Sequence, residues 1–150
     1  MKRNAKFSPR RAKPYLSREM LLPLAVDVAR KKSLEQHLAL ATLRSGAGNA
    51  ATVSRLLHAT YVGYFLHEAT VGRRDLDDFR AAEAALCASA AAGKNDGIFR
   101  ICDDGCSAVE HVLALYDHHL SSTPRHFMIT AQDRLARFLA TEKLSPIAEQ

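Results

Sequence analysis

The sequence predicts an all-α fold, an antiparallel bundle of four to five helices preceded by a disordered basic N-terminal arm. Three observations predict it. Apolar residues make up 47% of the 150-residue chain, and most of them are alanine and leucine, which favour helix. Seven glycines and five prolines leave few helix breakers. No stretch sustains the apolar–polar alternation of a half-buried strand, whereas several segments repeat apolar residues at helical spacing.

Residues 1–16 read as a flexible arm. Pro9 and Pro14 oppose helix, and Lys2, Arg3, Lys6, Arg10, Arg11 and Lys13 repel one another with little apolar surface to bury. A single bundle domain is expected over residues 17–143, followed by a frayed tail over 144–150. The first helix begins between Ser17 and Pro23, since proline is tolerated in a first turn. Ser33-Leu34-Glu35-Gln36 has a capping-box pattern and allows a break or restart there. The segment continues through Leu34, Leu38, Ala41 and Leu43 to Arg44, where Gly46 and Gly48 stop it.

Asn49 is a suitable cap for a second helix, from about Ala50 to Thr70. Val53, Leu56, Leu57, Tyr61, Val62, Tyr64, Phe65 and Leu66 cover most of its circumference, the mark of a buried central helix. Asp75 is expected to cap a third helix, Leu76 to Ala92, with Asp77 and Asp78 favourable to its dipole and Gly93 as its stop. Residues 98–104 are the least regular and have room for a brief extended piece. Asp103 or Asp104 then caps a fourth helix, in which Val109, Val112, Leu113, Tyr116 and Leu120 keep a clear helical period. Thr123-Pro124 restarts the chain as a cap followed by a first-turn proline. The fifth helix turns Met128, Ala131, Leu135, Phe138 and Leu139 inward.

The formal net charge is +5, but it is unevenly placed. Residues 1–14 hold six of the 21 lysines and arginines and none of the acids. The rest of the chain sits near neutrality, so the basic character belongs to the arm. Arms of this kind contact phosphate backbones and release counterions, which positions a protein without reading sequence. Lys2, Arg3, Lys6, Arg10, Arg11, Lys13 and Arg18 are therefore the candidate nucleic-acid contacts, with Phe7 and Tyr15 able to stack on unpaired bases. The plainer alternative is a solubilising terminus. A homo-oligomeric interaction module without a nucleic-acid role is the competing function, motivated by the apolar excess of the second helix.

The stretch Arg44-Ser45-Gly46-Ala47-Gly48-Asn49-Ala50-Ala51-Thr52-Val53-Ser54-Arg55 permits two readings. A helix-turn-helix would put the turn at Ser45–Gly48 and present Asn49, Thr52 and Arg55 to base edges. An ordinary hairpin between two bundle helices uses the glycines and Asn49 only to end one helix and start the next. The hairpin fits better, because the second helix is long and apolar and Arg55 is its only lysine or arginine. The run Leu38-Ala39-Leu40-Ala41-Thr42-Leu43-Arg44-Ser45-Gly46 through Tyr61-Val62-Gly63-Tyr64-Phe65-Leu66 resembles small bacterial proteins labelled as Fis-family transcriptional regulators. That resemblance implies an all-helical cytoplasmic protein acting in transcription, and it carries over no functional residue.

Enzymatic activity and a cofactor are not expected. Gly46-Ala47-Gly48 lacks the lysine of a phosphate-binding loop and follows no strand. Asp75, Asp77 and Asp78 serve a helix start. Glu110, His111, Asp117, His118 and His119 invite a metal reading, but His111 and His118 lie about 10.5 Å apart along a helix at 1.5 Å per residue. Cys102, Cys106 and His111, with Asp103 or Asp104, form a looser candidate without the usual tight cysteine pair. Cys87 and Cys106 otherwise read as small core residues. Three cysteines and no signal peptide point to a reducing cytoplasm. No membrane role is expected, since the longest uncharged apolar run, Leu56–His67, is too short to span a bilayer.

Overall fold

A 3-10 turn and five helices build the computed structural model, which describes residues 16–147. The 3-10 turn is Arg18–Leu21, and the helices are α1 (Val26–Arg44), α2 (Ala50–Thr70), α3 (Asp77–Asp96), α4 (Asp103–Ser122) and α5 (Arg125–Leu139). The described residues form no strand; one antiparallel bridge, Gly48 to Phe99, ties the α1–α2 loop to the α3–α4 loop. Among them, no helix is long and apolar enough to cross a membrane.

The centre is α2, which packs against α1, α3, α4 and α5. Its side chains are buried without interruption from Tyr61 to His67, as an apolar circumference requires. Short loops reverse the chain so that α1, α3 and α4 surround it and α3 lies along α4. The link from α4 to α5 turns at Thr123-Pro124, and α5 crosses to pack on α2 and the 3-10 turn. Leu43, Leu56, Leu66, Leu86, Leu113, Leu120 and Leu135 are at most 2% exposed. Each such burial is worth about 1.5–3 kcal/mol, against about 0–1 kcal/mol for a surface ion pair, so the leucine core dominates stability.

Several boundaries differ from the sequence expectation. Ser33 does not break α1, because Ala29 before it and Ala39, Leu40 and Leu43 after it are all buried in one continuous helix. Asp75 does not cap α3. It adopts a left-handed φ of 53°, and Leu76, buried at 6%, takes the cap position. Gly93 does not stop α3 either. A Cβ on Gly93 would lie 2.3 Å from the Phe99 ring, so the glycine admits that ring against the helix. The helix instead ends at left-handed Gly97 (φ 75°). Cys102, rather than Asp103 or Asp104, caps α4, its Sγ accepting from the Gly105 N–H at 3.3 Å. Pro124, not Thr123, takes the cap position of α5. Leu139, expected inside, is 64% exposed. In the tail expected to fray after Lys143, Leu144 is 96% exposed, whereas Ile147 is buried in the core and Ser145 Oγ donates to Glu83 Oε2 at 3.0 Å.

The Gly93–Phe99 contact yields a sharp prediction. Gly93→Ala should destabilise by about 1–3 kcal/mol through overpacking. In a Phe99→Ala background the clash is gone, and the same change should stabilise by up to about 1 kcal/mol through helix propensity. Urea unfolding of the four proteins measures both, and an equal cost in both backgrounds would remove Phe99 as the cause.

Candidate functional site

The α1–α2 turn is built for tight reversal. Gly46 has a φ of 79°, and a Cβ on Gly48 would come 2.8 Å from Leu43 Cδ1. Asn49 and Thr52 then form a reciprocal cap. Asn49 Oδ1 accepts from the Thr52 N–H at 3.0 Å and from Thr52 Oγ1 at 3.1 Å, while the Asn49 N–H donates to Thr52 Oγ1 at 3.3 Å. Arg55 Nη1 lies 4.0 Å from Glu35 Oε2 on α1. Asn49, Thr52 and Arg55 therefore share one outward face, around a shallow depression of about 380 Å³ that Leu38 and Thr42 also line. Base-edge recognition by Asn49 and Thr52 would have to give up the bonds that start α2.

The basic candidates divide at the edge of the described residues. Lys2, Arg3, Lys6, Arg10, Arg11 and Lys13 lie outside them. Arg18 is exposed on the 3-10 turn, and that turn is fastened to the start of α5. The Arg125 N–H donates to Leu22 O at 2.9 Å, and His126 Nδ1 lies 2.9 Å from Met20 O. The chain thus enters the bundle at a fixed place, against the first turn of α5.

The cysteines and histidines scatter. Cys102 is committed to its cap, buried Cys106 donates to Glu110 Oε1 at 3.7 Å, and exposed His111 faces Asp78 at 3.6 Å. Among the described residues, no three His, Cys, Asp or Glu side chains gather as a metal site. All three thiols are free, and Cys87 is exposed rather than packed. His118 stays outside, whereas His119 is buried with its Nδ1 3.2 Å from Thr123 Oγ1. The buried ring of His67 stands 6.4 Å from that of His119. Burial lowers the His119 pKa below the usual 6.5, and the neighbouring His118 and His67 add to the effect. His37 Nε2 approaches Asp117 Oδ2 at 2.7 Å on the wall of a cleft of about 460 Å³ between α1 and α4.

A concavity of about 1080 Å³ was not legible in the sequence. It opens between α2, α3, α5 and the segment 141–147. Arg80, Arg134, Arg137 and Lys143 line it with a single carboxylate, Glu83, over the apolar surfaces of Phe65, Phe138, Leu144 and Ile147. Two partly buried networks hold its walls. Arg134 Nη2 donates to Glu68 Oε1 at 3.1 Å while its guanidinium lies 4.4 Å over the Phe65 ring. Burial alone would raise the Glu68 pKa, but hydrogen bonds from Tyr64 and Arg134 and the charges of Arg134 and Arg73 bring it below the usual value. Tyr61 Oη donates to Glu83 Oε1 at 2.7 Å, and burial together with that bond raises the tyrosine pKa. Partners this far apart in the chain leave no periodic signal.

Family models, curated proteins and solved structures offer no match to the chain.

The buried histidine gives a signed pH dependence. With a folded-state pKa below the unfolded 6.5, His119 contributes stability that is present above about pH 6.5 and is lost as pH falls through the folded value. The urea midpoint should drop between about pH 8 and about pH 5, and less steeply in His119→Gln. Identical slopes in the two proteins would clear His119 of the effect.

Proposed function

We propose that the protein is a non-enzymatic helical protein that associates with nucleic acid through its basic N-terminal arm, acting in the cytoplasm as an accessory transcriptional regulator. The observation that carries this reading is the charge partition, with six of the 21 lysines and arginines in the first 14 residues and no acid among them. The body supplies a fixed root. The 3-10 turn carrying Arg18 is bonded to the start of α5, so phosphate contacts of the arm are delivered next to a defined face. Lysine and arginine contacts of this type hold the backbone and give low sequence specificity. Asn49, Thr52 and Arg55 are secondary candidates in this reading, since a cap and an ion pair already occupy them.

The test is an anisotropy titration of a fluorescent duplex with intact protein and with a full-length variant carrying glutamine at positions 2, 3, 6, 10, 11 and 13. Six phosphate contacts should give a log–log salt slope of about −5, and the variant should lose most of the affinity. Equal binding by both proteins, or binding insensitive to salt, would sink the reading.

A second reading, a homo-oligomeric interaction module, draws on a specific observation. The apolar excess of α2 is largely covered within the chain, with Leu57 half-buried, but Leu21, Leu22, Val26, Leu34 and Leu38 are each more than half exposed at the end of the 3-10 turn and on α1. Apolar side chains grouped in this way mark interaction surfaces. Light scattering across a concentration series should then give a mass above 16.5 kDa that Leu34→Asp with Leu38→Asp returns to the monomer value; a monomer at every concentration would exclude it.

A further inference from the structure

We propose that the cleft between α2, α3, α5 and the C-terminal segment binds a small organic acid with an aliphatic or aromatic body. The charge balance comes first. Four cations and one carboxylate line the cleft. The carboxylate, Glu83, has each oxygen engaged by a hydroxyl, one from Tyr61 and one from Ser145, so it is turned toward the protein and held there. Arg134 is committed to Glu68 and to the face of Phe65. Arg80 pairs with Asp77 at 3.2 Å and is not counted as an available cation. Arg137 and Lys143 have no ion-pair partner among the described residues. Two uncommitted cations therefore face one cavity whose only acid is already satisfied.

The second half of the ligand follows from the walls. Phe138 stacks edge-on against Tyr61 at 5.9 Å between centroids, and Ile147 is buried against the core. An inorganic anion would leave this apolar surface wet, and a neutral hydrocarbon would strip water from the cations without replacing it. A molecule with an acid head and an apolar body satisfies both. Mostly apolar pockets with a few convergent polar groups are the usual form of small-molecule sites. The site also owes its fourth wall to a specific bond: Ser145 to Glu83 holds the C-terminal segment across the mouth of α3 and α5.

The experiment titrates the full-length protein with the fluorescent probe anilinonaphthalene sulfonate and displaces it with decanoate, and in parallel with decanol. The expected result is saturable binding, displacement by decanoate, and displacement by decanol at least about tenfold weaker, since a charge-assisted contact is worth more than one factor of ten in affinity. Arg137→Glu with Lys143→Glu, both at exposed positions, should weaken probe and decanoate by at least about tenfold each, with thermal unfolding confirming the fold. Leu34→Asp, in the α1–α4 cleft, and the glutamine-armed variant should bind as the unaltered protein does. Absence of saturable binding, equal displacement by decanol, full affinity after the double charge reversal, or loss on Leu34→Asp would each overturn the proposal.

Discussion

A helical stretch without a solvent face has to be covered by the rest of the chain, and most of this architecture follows from that requirement on the second half of α2. The side chains from Tyr61 to His67 leave no side for water. Covering such a helix takes neighbours on every side, and α1, α3, α4 and α5 supply them. The polar groups that come inside with α2 must then be paired, because an unpartnered buried group costs more than most single contacts return. Thr60 donates to its own helix at Leu56 O, Tyr61 finds Glu83, and Glu68 is met by Arg134. The cleft is a by-product of this pairing. Its walls stand where α3 and α5 must come close enough to α2 to complete those bonds and yet diverge from one another.

Surface properties are set by a different rule. The body is close to neutral, and the positive excess is gathered at one end of the chain. Within the body, α1 is lightly buried for its length. It buries only Ala29, Ala39, Leu40 and Leu43 and turns apolar side chains outward along the opposite side. Exposed apolar side chains lie at the 3-10 turn and along α1, while the cleft is walled by α2, α3, the second half of α5 and residues 141–147. The two surfaces are independent in the residues that build them.

What was legible in the sequence and what was not divide by the range of the interaction. The course of α2 was legible because an apolar circumference has one physical solution, and its start because Asn49 and Thr52 act within a single turn. The buried stripe of α4 was legible by periodicity alone. Gly93 was misread as a stop because its role is set by Phe99, which reaches it from the next loop. Cys102 was passed over as a cap because thiols are weak acceptors and the two aspartates after it look better suited. Asp75 offers the usual capping carboxylate, yet the burial of Leu76 fixes the boundary. The cleft was invisible because its defining pairs, Glu68 with Arg134 and Glu83 with Ser145, are separated by 66 and 62 residues. The buried face of Ile147 was hidden for the same reason, since its packing depends on a fold already formed.

The fastening of the 3-10 turn bears on the order of events when the chain is made. Met20 meets His126 across 106 residues, and Leu22 meets Arg125 beside it. Domains are synthesised from the N-terminus, at about 5–20 residues per second, so the root of the arm has no partner while α1 to α4 emerge. Throughout that interval the 3-10 turn is joined only to α1, and its carbonyls are left to water. Only when α5 has left the exit tunnel do Met20 and Leu22 meet the groups that fix them.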